Sequence, residues 1–279
     1  MISTKAGPFN ENADVFQKSW DFAALFGPFP IEMMREQKQV LLTQGGKGGS
    51  GKTELSVSAV DFVKKRGFKP LLLDFDRENT DNSGLQNFHP EAIKLDVHQE
   101  GALDTFFDIC DREESNLIIA DLPAGAGLET FQFFNDAFED AEEIGIRFTA
   151  IGVVNNDAGT VQSVLKWGKE LQNRVDYLIV FNELRERNSR FEYWHDEPAT
   201  QDFDRILKPR YMKMQARISD LQAEMRNQNT TLQQIIDGDT DVPFFKQTKN
   251  RLRAKRYQRE LFEGFEKHAD ILLPPSHVQ

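Results

Sequence analysis

The chain has 279 residues, 39% of them apolar and 28% charged, with a formal net charge of −11. That length buries a sizeable core without covalent staples, and the single cysteine, Cys110, excludes an intramolecular disulfide and any iron–sulfur or zinc site built on paired cysteines of one chain. The acidic balance argues against a surface that is basic all over, no run reaches the roughly 18 apolar residues of a membrane span, and residues 1–12 lack a signal peptide's basic start and apolar core, so a cytoplasmic protein is expected.

Residues 1–38 form an aromatic arm in which Phe9, Phe16, Trp20, Phe22, Phe26 and Phe29 lead into a Gly27-Pro28-Phe29-Pro30 break. It either packs on the body of the protein or docks on a partner or second copy. Residues 39–186 alternate short apolar runs with amphipathic segments. Val40–Thr43, Pro70–Leu73, Leu117–Ala120, Phe148–Val154 and Tyr177–Phe181 predict strands buried on both faces of a parallel sheet. Between the first two, Leu55, Ala59, Phe62 and Val63 recur at helical spacing over Thr53–Arg66, with Gly67 at the C-cap. The expected fold is α/β: a doubly wound, mostly parallel sheet with helices on both faces.

The loop between the first strand and the first helix reads Gly46-Lys47-Gly48-Gly49-Ser50-Gly51-Lys52-Thr53, which satisfies G-x-x-x-x-G-K-S/T. Its glycines let backbone N–H groups turn inward around phosphate oxygens, and the helix N-terminus adds partial positive charge. Lys52 is placed to neutralise the β- and γ-phosphates and the Thr53 hydroxyl to complete a Mg²⁺ shell.

Lysine at position 47 narrows the class. Lys-Gly-Gly-x-Gly-Lys-Thr resembles the deviant Walker A loop of the ParA/MinD ATPases, a branch of the P-loop NTPases, and the resemblance implies an ATP-dependent homodimer. Lys47 would then reach the partner's nucleotide as a finger, placing charge where it develops in the transition state. Leu73-Asp74-Phe75-Asp76 resembles the family's D-x-D switch, with Asp76 orienting the attacking water and Asp74 supporting the Mg²⁺ and phosphate shell; Arg77 stands where many members have proline. Leu117–Asp121 followed by Leu122-Pro123-Ala124-Gly125 is similar to the family's Walker B strand and second switch, with Asp121 holding Mg²⁺ through water. By the same resemblance Asn182 reads adenine, the alternative being a turn or capping asparagine. No guanine-reading motif follows, so ATP is preferred to GTP.

Residues 187–241 read as a helical insertion. A stripe from Leu207 through Tyr211, Met214, Ile218, Leu221, Met225 and Leu232 to Ile235 predicts one long amphipathic helix, packed on its own chain or on a partner. Residues 242–279 return to the ATPase domain, with Val242-Pro243 similar to the family's loop near the adenine. Between Lys246 and Arg259 stand seven cations and no acid, among them Lys249, Arg251, Arg253, Lys255 and Arg256. This is either a nonspecific DNA contact, as the resemblance suggests, or a solvated face. Pro274 and Pro275 argue against a terminal membrane-targeting helix. The implied cofactors are ATP and Mg²⁺. The implied task is a slow switch for plasmid partition or cargo positioning, with a partner protein stimulating hydrolysis. An accessory ATPase of plasmid mobilisation or conjugative transfer, or a P-loop small-molecule kinase with the insertion as lid, are the alternatives.

Overall fold

The computed structural model describes residues 37–44, 48–75, 84–112, 115–123, 128–184 and 187–275. Seven strands form one sheet: β1 (Lys38–Gln44), β2 (Leu71–Asp74), β3 (Ile93–Lys94), β4 (Leu117–Asp121), β5 (Ile146–Val154), β6 (Asp176–Asn182) and β7 (Arg210–Met214). Their order is β3-β2-β4-β1-β5-β6-β7 and every neighbouring pair is parallel. The main helices are α1 (Lys52–Lys65), α2 (Ala102–Cys110), α3 (Leu128–Glu143), α4 (Ala158–Leu171), α5 (Pro198–Leu207), α6 (Ser219–Asn227), α7 (Leu232–Asp237) and α8 (Thr248–Glu266), with single-turn helices among them.

Strand residues alternate between two cores because successive side chains leave opposite faces. Val40 and Leu42 of β1 join Phe106, Phe134 and Trp167 of α2–α4, whereas Leu41 joins Leu55, Val60, Leu221, Ile235 and Leu261 on the other face. Both faces are thus covered, which is why the strands read as continuous apolar runs. Helix α1 ends where Gly67 adopts a positive φ of 87° and its N–H donates to Lys64 O at 3.0 Å. Lys64 and Lys65 in its last turn complement the helix dipole. On its buried side, Phe62 meets Phe265 and Phe262 of α8 with ring centroids 5.3 and 5.4 Å apart. Burying a ring of this size contributes about 1.5–3 kcal/mol.

The single long helix expected from Leu207 to Ile235 is corrected. That stretch is the end of α5, the edge strand β7, α6 and α7. Helix α5 stops at Lys208, which adopts a left-handed φ of 49° just before Pro209. Arg210–Met214 then alternates, with Met212 and Met214 buried, and pairs with β6 from Leu178↔Arg210 to Asn182↔Met214. A second break follows α6, where Asn229 has a φ of 46° and Thr231 opens α7 with a capping box to Gln234. Three apolar faces packed on one core line up in sequence as though they were one stripe. No helix among the described residues is long and apolar enough to cross a membrane.

Candidate nucleotide site

The site forms at the C-terminal ends of β1, β2, β4 and β6, where an open parallel sheet leaves a crevice for ligands. Gly49 and Gly51 hold positive φ angles of 79° and 101°, a region that side chains with a Cβ rarely enter. Gly51 is doubly constrained, since a Cβ there would stand 2.3 Å from Asn182 Nδ2. Asn182, at the end of β6, donates through Nδ2 to Ser50 O at 2.8 Å and accepts from Leu184 N–H at 3.0 Å. It therefore braces the loop's own backbone.

Lys52 begins α1 and is 7% exposed. Beside it the Thr53 hydroxyl donates to Asp121 Oδ2 at 2.7 Å, and Asp121 Oδ1 lies 2.9 Å from Ser56 Oγ and 3.1 Å from Thr43 Oγ1. Register explains the meeting: Asp121 sits opposite Thr43 on β1 and opposite Asp74 on β2. Burial pushes the Asp121 carboxyl up to about 6, against the hydrogen bonds from Thr53 and Ser56 and the charge of Lys52, with Asp74 adding to the rise. A hydroxyl and carboxylates, all hard oxygen donors at the end of a glycine loop, fit Mg²⁺. Asp74 is buried and its Oδ2 accepts from Gln86 N–H at 3.0 Å.

A cavity of about 210 Å³ opens beside this loop. Gly48, Gly49, Lys52 and Thr53 form one wall, and Phe88, Arg217, Gln222, Met225, Arg226 and Leu232 close the other. Glu54, next after the loop, lies between them: it pairs with Arg217, accepts from Gln222 Nε2 at 2.8 Å and from Tyr257 OH at 3.1 Å. Glu183 secures the neighbouring loops, accepting from Asn188 N–H at 2.8 Å and Ala216 N–H at 3.2 Å, with Lys213 Nζ at 2.5 Å. Those donors hold its carboxyl below the ordinary value although burial opposes them.

No family model matches the chain. Protein MobD of Acidithiobacillus ferrooxidans is 21% identical over 160 residues, 57% of this chain and 69% of MobD. Among solved structures, McdA of Cyanothece in complex with ATP superposes with a TM-score of 0.53 at 11% identity, over 85% of this chain and 98% of McdA. The septum site-determining protein MinD of Pyrococcus horikoshii, complexed with Mg-ADP, gives a TM-score of 0.50 at 15% identity, over 85% of this chain and 99% of MinD. The chain has the ParA/MinD fold.

On that fold the expected site residues fall into three groups. Gly48, Gly49, Ser50, Gly51, Lys52, Thr53, Asp74, Asp121 and Asn182 converge at the sheet edge. Gly46, Lys47 and Asp76 lie outside the described residues, as do residues 1–36 of the aromatic arm and Ala124-Gly125 of the second switch. Pro243 opens the one-turn helix Pro243–Lys246 and is not among the residues that line this cavity. The loop after β7 contributes Arg217 to the cavity's lining. Neither Arg217 nor Tyr257 carries a local motif that would have singled it out.

The basic segment lies on α8, whose buried face is Asn250, Ala254, Tyr257, Leu261 and Phe265. Arg251 donates to Ile236 O at 2.9 Å and Arg253 lies 3.4 Å from Asp220, so both are tied to the body of the ParA/MinD fold. Lys249 is exposed. Lys255 and Arg256 instead line a groove of about 740 Å³ with Lys65, Arg66, Arg259 and Phe262. Of the five predicted cations, Lys255 and Arg256 line this groove, while Arg251 and Arg253 bond to neighbouring groups. The first two are joined there by Arg259 of the same basic run and by Lys65 and Arg66 at the end of α1, with Glu263 and Glu266 in the same lining beside Arg259 and Arg66.

Proposed function

We propose that this chain is a Mg²⁺-dependent ATPase of the ParA/MinD kind, whose ATP-bound homodimer is a slow switch in plasmid partition or cargo positioning. The observation that carries this reading is the Thr53–Asp121 contact at 2.7 Å, at the mouth of a glycine loop that delivers Lys52 to the start of a buried helix. Loop N–H groups and Lys52 would bind the phosphates, and Thr53 with Asp121 would hold Mg²⁺, which would supply positive charge against the phosphate oxygens. Asp76 aligns the attacking water and Lys47 reaches the partner's nucleotide. Asn182, which braces Ser50, is the residue that the resemblance assigns to the adenine. The cationic groove between α1 and α8 supports nonspecific DNA as the surface partner, with a second protein stimulating hydrolysis.

Size-exclusion chromatography with Mg²⁺ and a non-hydrolysable ATP analogue tests the switch. Wild-type protein should elute as a dimer with nucleotide and a monomer without it. Lys52→Ala should fail to bind nucleotide, whereas Lys47→Ala should bind it yet lose on the order of a hundredfold or more in hydrolysis, the scale of a missing transition-state charge. A chain that stays monomeric, with Lys47→Ala hydrolysing normally, would sink the sandwich dimer and leave the small-molecule kinase as the better reading.

A further inference from the structure

We propose that Arg217 keeps the phosphate loop receptive to nucleotide by neutralising Glu54, which would otherwise repel the phosphates from the same wall. The proposal rests on the nucleotide-binding reading above and adds to it a determinant of affinity that lies outside the loop.

Glu54 stands in the first turn of α1, directly after Thr53. The start of a helix attracts any anion, so a carboxylate there competes with phosphate for one electrostatic field. Glu54 is also largely withdrawn from water, with its side chain 15% exposed, and that of Arg217 is 5% exposed. In such surroundings charges act on one another more strongly than at a wet surface. Three donors from distant parts of the chain converge on this carboxylate: Arg217 by an ion pair, Gln222 at 2.8 Å and Tyr257 at 3.1 Å. Only Arg217 brings a charge.

Arg217 is itself held in place. Its guanidinium lies 4.4 Å from the Tyr257 ring centroid, and Nη1 is 3.6 Å from Met225 Sδ. A guanidinium stays protonated near neutral pH although burial pulls that of Arg217 down, so the pair is neutral while Glu54 is ionised. Removing Arg217 would leave the Glu54 carboxylate without its ion-pair partner in a cavity that Lys52, Thr53 and Arg226 also line. Arg217 is thus a positioning and neutralising residue, not one that handles the reacting atoms.

A charge-rescue cycle tests this, with affinity for Mg-ATP measured by titration calorimetry on wild type, Arg217→Ala, Glu54→Gln and the double variant. Arg217→Ala should weaken ATP binding about tenfold or more, less so at high salt, and adding Glu54→Gln should restore it. Glu54→Gln alone should bind at least as tightly as wild type. If Arg217→Ala binds normally, or if the double variant stays as weak as Arg217→Ala, the proposal is overturned. Should Arg217→Ala not fold, Glu54→Gln decides alone, and a tenfold loss of affinity refutes the proposal. A wild-type chain that binds no ATP refutes the nucleotide reading instead, and this inference falls with it.

Discussion

Asp61, a buried carboxyl on α1, carries a prediction for the pH dependence of stability. It sits on α1 under α7, 6% exposed, and accepts from Gln233 N–H at 3.2 Å. Burial raises it to about 6, opposed by the hydrogen bonds from Gln233 and Thr231 and the charge of Lys64. The folded state therefore binds this proton more tightly than the unfolded chain. Its contribution to stability is complete below the unfolded value near 3.8 and is lost as the pH rises through about 6. Asp61→Asn keeps an acceptor without the charge, so it should stabilise the protein at pH 7.5 by about 2 kcal/mol and hardly at all at pH 4. Urea melts at both pH values check the sign, and equal midpoints for the two proteins at pH 7.5 would contradict it.

Two helical glycines show how the cost of one methyl depends on what faces it. In α4, a Cβ on Gly168 would stand 2.3 Å from Phe203 Cε2. Phe203 has little room to yield, because it is buried edge-to-face between Tyr177 and Trp194, with centroids 5.3 and 5.8 Å away. In α8, a Cβ on Gly264 would meet Met212 Cε at 2.8 Å, the far end of a flexible thioether chain. Replacing glycine with alanine inside a helix gains about 1 kcal/mol of propensity, whereas overpacking costs about 1–3 kcal/mol. Gly168→Ala should therefore lower the melting temperature by several degrees and Gly264→Ala should leave it unchanged or higher. Thermal denaturation of the pair reads the difference, and an identical shift in both would show that the packing argument is mistaken.

Across the whole molecule, the two faces of the sheet carry different work. One face, under α2–α5, is an aromatic core in which Phe106, Phe133, Phe134 and Phe148 pack with centroids 5.1–6.5 Å apart. The other places α1 against α8, so that the helix beginning at the phosphate loop ends at the cationic groove. Reversing Lys255, Arg256 and Arg259 to glutamate should abolish binding of nonspecific duplex DNA at low salt while ATP affinity is kept. The wild-type affinity should fall steeply with salt as phosphate counterions are no longer released to advantage. Gel shifts with and without ATP measure this, and undiminished binding by the triple variant would move the DNA contact elsewhere.

Much of the fold is legible in sequence because its signals are contiguous. The apolar runs predict β1, β2, β4, β5 and β6, and Leu55, Ala59 and Phe62 predict α1, because a strand or helix buried by its neighbours shows that burial in its own periodicity. The glycine loop is legible for the same reason: phosphate chemistry needs those residues side by side. Periodicity fails at β7, where the faces of three elements merge into one stripe. Tertiary structure alone decides that Asn182 braces Ser50 across 132 residues and that Tyr257 reaches Glu54 across 203. Strand order, and not distance along the chain, determines which side chains meet at the sheet edge. An arginine that neutralises a carboxylate from another element leaves no local mark in the sequence.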